Sequence, residues 1–169
     1  MKLENLKFPI GLFEMPQDVS NEQLKNWIIE IEQLPENLKT ITKNLSIEEL
    51  NYIYRPNGWN IKQVIHHLSD SHSNALIRFK LALTEENPTI KPYAENLWAE
   101  LVDGSDDNLH FSLQILEGIH YKWHLLLQNM NENNWNKTYF HPESNKKVTL
   151  KEMIGLYTWH GKHHLAHIK

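Results

Sequence analysis

Residues Asn60–Leu83 read NIKQVIHHLSDSHSNALIRFKLAL, and their spacing decides the fold. Ile61, Val64, Ile65, Leu68, Ala75, Phe79, Ala82 and Leu83 recur mainly in steps of three and four, the period that lines one face of an α-helix. Asn60 is a good N-cap, and the turn Tyr54-Arg55-Pro56-Asn57-Gly58 separates this helix from what precedes it. The same run carries His66, His67 and His72. At about 100° per residue, His67 falls at the edge of the apolar stripe, His66 turns away toward solvent and His72 lies inside the stripe. An edge histidine can face a cavity between helices, so spacing prefers His67 to His66 as a ligand and leaves His72 open.

Working outward, Ser20-Asn21-Glu22-Gln23 is a capping-box pattern. It opens a helix with Leu24, Trp27, Ile28, Ile31, Leu34, Leu38, Ile41 and Leu45 on one side. Pro35 inside that run predicts a kink or a split. Ser46-Ile47-Glu48-Glu49 starts a short helix, residues 85–92 form a loop, and Glu95–Leu101 suits another short helix before the polar turn at Asp103–Asp107. A long helix follows over Leu109–Met130, with Leu113, Leu116, Ile119, Trp123, Leu126 and Leu127 inward. Asn131–Lys147 reads as irregular and polar, and Thr149-Leu150-Lys151-Glu152 caps the last helix. No strand pattern of useful length competes. The expectation is an all-α single domain over residues 1–169, a four-helix bundle with long connections.

The 169 residues are enough for a real core, and 40% apolar and 22% charged residues are ordinary for a soluble globular chain. A net charge of -4 without a basic run argues against nucleic acid. Met1-Lys2-Leu3-Glu4-Asn5 opens no apolar export segment, and no run of about 18 apolar residues suggests a membrane span. Cysteine is absent. Disulfides, iron–sulfur clusters and a thiolate nucleophile are therefore excluded, and any metal must sit on nitrogen and oxygen.

The last helix supplies the nitrogen. Trp159-His160-Gly161-Lys162-His163-His164-Leu165-Ala166-His167 holds four histidines in eight residues. His160 and His164 share one face, as do His163 and His167, and an i, i+4 pair can grip one ion. Spacing alone does not choose between the pairs.

These residues carry a family likeness. Gly58-Trp59-Asn60-Ile61-Lys62-Gln63-Val64-Ile65-His66-His67-Leu68 and Gly155-Leu156-Tyr157-Thr158-Trp159-His160-Gly161-Lys162-His163-His164-Leu165-Ala166-His167, with Phe8-Pro9-Ile10-Gly11 at the start, resemble the YfiT branch of the DinB superfamily. The likeness spans nearly the whole chain and stops at Lys169, where members continue a little further, implying slight truncation. It implies a four-helix bundle, a divalent metal on His67, His160 and His164, and a cytoplasmic homodimer. YfiT-like proteins are labelled metal-dependent hydrolases, and related members use a low-molecular-weight thiol, as bacillithiol-type S-transferases or thiol-dependent isomerases.

Three neutral histidines leave a divalent ion with open positions, which marks catalytic rather than structural sites. Such an ion can activate water or hold a thiol as thiolate, so hydrolysis and thiol transfer both fit, as does simple metal or small-molecule binding. Imidazole suits zinc and nickel alike. No H-E-x-x-H sequence supplies a general base, and Asp70 is the nearest carboxylate to His67 in sequence. Along the helix from His67, the track Ser71, Asn74 and Arg78 would suit an extended ligand or anionic thiol with its carboxylate at Arg78. Pairing of Arg78 with an acid of the protein is the competing expectation.

Overall fold

A computed structural model of the chain describes residues 3–168, so Lys169 and the expected truncation lie outside the described residues. Its frame is four long helices: α2 (Asn21–Thr42), α4 (Ile61–Thr84), α6 (His110–Gln128) and α8 (Leu150–Ile168). Short helices α1 (Leu3–Lys7), α3 (Ile47–Leu50), α5 (Glu95–Trp98) and α7 (Glu132–Trp135) occupy the connections, with one 3-10 turn at Asp103–Ser105. The caps that sequence predicts are formed. Ser20 accepts from the Gln23 amide at 3.1 Å, Asn60 and Gln63 close a reciprocal box, and Thr149 pairs with Glu152 in the same way.

Both α2 and α4 pack chiefly against α6 and α8. Consecutive long helices α2 and α4 thus lie across the diagonal, which is why their connection must be long. Two apolar clusters fill the interior. One gathers Trp27, Phe79, Trp123 and Met153; the other gathers Leu34, Leu38, Val64, Leu68 and Leu116. Between them in sequence, on α4 and on α6, stand His72 and His120, both essentially without solvent exposure.

Pro35 does not split its helix: α2 runs through it, with Leu34, Pro35 and Leu38 all buried. Packing on two neighbours holds the element together where propensity would part it. Proline has no N–H, so the Ile31 carbonyl four residues earlier loses its helical donor. The Nδ1 of His120 donates to that carbonyl instead.

Residues 131–147 are not wholly irregular. After α7, strands β1 (Thr138–His141) and β2 (Lys146–Thr149) form an antiparallel hairpin in the register Thr138↔Thr149 to His141↔Lys146. Asn145 turns it with φ 50°, a left-handed conformation asparagine tolerates. Each strand is only four residues long, too short for a period-two pattern to show.

Candidate metal centre

The first third of α4 and the second half of α8 approach each other, bringing His67 against His160 and His164. The ring centroids lie 5.3, 5.1 and 4.5 Å apart, and one ring nitrogen of each lies within 4.8 Å of the others. Gly161, between the two α8 histidines, lets α2 come close, since a Cβ there would meet Leu34 at 2.8 Å. Trp59 leans on His67, with centroids 4.6 Å apart, and walls the site on the side of the α3–α4 turn.

The Nε2 atoms of His67 and His160 are 3.3 Å apart. Two imidazole nitrogens about 2.05 Å from one ion at a tetrahedral angle would be about 3.3 Å apart, so the spacing fits shared coordination. Burial holds His67 down to about 4. It drives His160 and His164 well below the ordinary histidine value, and the neighbouring histidines push the same way. All three rings are neutral at pH 7 and offer lone pairs, as a cation requires.

The three histidines border a cleft of about 270 Å³. Lys7 and Arg55 also line it, the latter with a buried Nε that has no hydrogen-bond partner. Glu95, the first residue of α5, is the one carboxylate among the described residues that line it. Partial burial and the charge of Glu143 raise its pKa above the usual carboxylate value. Sequence spacing could not find Glu95, because it reaches the cleft from a loop-borne helix of four residues. The N-terminal segment crosses the same region: Trp159 Nε1 donates to the Gly11 carbonyl at 3.2 Å, and Phe8 stands 5.9 Å from His163.

Several expected residues lie elsewhere. His66 is buried rather than solvated, held between Ser112 Oγ at 2.7 Å and the Asp106 carbonyl at 2.9 Å. Spacing showed that it turns from the stripe but not that the Asp103–Asn108 turn covers it. Asp70 lines a separate depression with His66, Asp103 and Asp106. Burial and repulsion from Asp103 raise its pKa, but it does not border the cleft. Asn74 turns back on the Asp70 carbonyl at 2.9 Å. Arg78 is 9% exposed, beside Tyr157, with Nη2 3.4 Å from the Lys91 carbonyl. Neither Asn74 nor Arg78 borders the cleft, and Arg78 has no acid partner among the described residues. His72 is outside the ligand trio, and its Nε2 meets His160 Nδ1 at 3.2 Å.

The chain is similar to known proteins over nearly its whole length. Residues 30–168 match the profile of the DinB superfamily. A candidate metal-dependent hydrolase of Oceanobacillus iheyensis is 48% identical over 164 residues, 97% of this chain and 94% of the relative. The YfiT protein of Bacillus subtilis, also named a candidate metal-dependent hydrolase, is 41% identical over 97% of this chain and 92% of its own length. A solved structure of that YfiT superposes with a TM-score of 0.94, covering 97% of this chain and 94% of that one. It is described as a probable metal-dependent hydrolase with an unusual four-helix bundle topology, which suits the diagonal placement of α2 and α4.

Proposed function

Starting from the fact that the chain belongs to the DinB superfamily, we propose that it is a metal-dependent hydrolase whose divalent ion is held by His67, His160 and His164. The observation that carries this reading is the convergence of three neutral imidazole nitrogens beside an open cleft, two of them 3.3 Å apart. Three nitrogen donors without sulfur suit zinc or nickel.

A divalent ion bound there supplies Lewis acidity, polarising a carbonyl and making water more acidic. The protein's own groups do the rest. Glu95 lines the cleft with a raised pKa and would take a proton from water and return it to a leaving group. Arg55 and Lys7 favour a substrate with an anionic part, and Arg55 can bind a carboxylate in two-point fashion. Trp59 shields the imidazoles from bulk water on one side, which strengthens the electrostatics inside. A cytoplasmic homodimer, carried over from the family likeness, completes the proposal. Exposed Val102 and Phe111 offer apolar surface for it, and sedimentation at micromolar concentration tests it.

The function is tested by titrating chelator-stripped protein with zinc and with nickel, then assaying activated esters and amides. One equivalent should bind, His160→Ala should lose most of it, and hydrolysis should follow metal content. Full metal content in His160→Ala would refute the site. Metal-dependent joining of a small thiol to an electrophile, with no hydrolysis, would refute the reaction.

A further inference from the structure

A metal-ligating histidine usually donates its second ring N–H to a fixed acceptor, which sets its tautomer and orientation. Among the described residues, His160 and His164 meet no carboxylate or carbonyl directly on that side. Each meets another histidine.

From His160 the contacts run through the polar layer of the core. His160 Nδ1 lies 3.2 Å from His72 Nε2, and His72 Nδ1 lies 2.9 Å from His120 Nε2. His120 Nδ1 ends the series on the Ile31 carbonyl, the one left without a helical donor by Pro35. A carbonyl only accepts, so His120 must carry its proton on Nδ1. Its Nε2 is then an acceptor, which forces the proton of His72 onto Nδ1. The same step forces the proton of His160 onto Nδ1 and leaves Nε2 bare. A cation at His72 or His120 would reverse the last step, but the two are 0% and 1% exposed and neither has an acid partner among the described residues. Such a charge is too costly there.

A second, shorter series serves His164. The Nε2 of His167 lies 3.3 Å from the Lys7 carbonyl and must donate to it. His167 Nδ1 then accepts from His164 Nδ1, also at 3.3 Å, and His164 Nε2 is bare. Both series end on backbone carbonyls, and both leave the same ring atom free.

We propose that His72, His120 and His167 are positioning residues, fixing the tautomers of His160 and His164 so that each presents an unprotonated Nε2 to the cleft. His163 and His167 also gather with His164 within 4.8 Å, but here the proton of His167 is committed to Lys7, and the group serves the first site rather than a second ion. The orienting role rests on the metal reading above; the tautomer pattern does not, because it follows from the two end carbonyls alone.

The test begins with long-range ¹H–¹⁵N correlation of the imidazoles in the full-length, metal-free protein at pH 7.5. Protons are expected on Nδ1 of His72, His120, His160 and His164, and on Nε2 of His167. A proton on Nε2 of His160 or His164 overturns the proposal. Zinc affinity by chelator competition follows, with thermal melting to verify the fold. His72→Phe should lose roughly 10- to 100-fold in affinity. His72→Gln, whose amide can accept from His160 and donate to His120, should stay near wild type. Equal affinities for Phe and Gln variants overturn the orienting role. A second zinc equivalent lost in His163→Ala overturns the assignment of His167. Absence of zinc binding by wild type, with the tautomers as stated, refutes the metal reading and leaves the series intact.

Discussion

Acid should unfold the metal-free protein at mild pH. His67, His120 and His163 are each 7% exposed or less and each held to about 4, chiefly by burial, against 6.5 when unfolded. The unfolded chain therefore takes up protons first, and stability falls as pH drops. The contribution is complete above about 6.5 and is lost progressively toward 4. At pH 5 the difference is about 2 kcal/mol per histidine, or about 6 kcal/mol for three treated as independent. His72, His160 and His164 shift in the same direction and add to it. Whole domains are stable by about 5–15 kcal/mol, so this loss is a large share. Urea unfolding of chelator-treated protein, followed by far-ultraviolet circular dichroism at pH 7.5 and 5.0, measures it. With a slope of about 2 kcal/mol per molar, the midpoint should fall by about 3 M. A loss below about 1 kcal/mol would refute the claim that these rings are folded in the neutral state.

Glu95→Gln should keep the metal and lower kcat roughly 10²- to 10⁴-fold toward any ester or amide that wild type hydrolyses, read by steady-state kinetics beside metal analysis. Arg55→Ala should raise KM for anionic substrates and leave KM for their neutral analogues unchanged; equal effects on both would remove Arg55 from recognition. Trp123, with no solvent exposure among Phe79, His120 and Tyr157, should cost about 3–5 kcal/mol when replaced by Ala, measured by denaturant titration at pH 7.5.

The long helices were legible because each buries a stripe wide enough to leave a three-four pattern and begins at or beside a side-chain oxygen. His67, His160 and His164 were legible for a related reason: two share a helical face and the third borders a stripe. The family likeness, not the spacing, separated His160 and His164 from His163 and His167. Spacing misjudged what lies opposite a residue, as with His66 and the covering turn. It also extended the angular track from His67 to Arg78, although the cleft opens toward α5 and the N-terminal segment instead. Glu95 and the hairpin escaped because elements of four residues leave too few positions for any period to appear.

Pro35 shows a hazard for anyone improving this protein by local rules. Helix propensity alone would nominate Pro35→Ala, with a nominal gain of about 3 kcal/mol. The restored amide would point at the Ile31 carbonyl and compete there with His120. Thermal screening would rank such a variant as a success, while the cost surfaced two histidines away, as looser control of His160. On the metal reading proposed above, melting temperature and metal affinity would be opposed traits at this position, and a library selected on one should be counter-screened on the other.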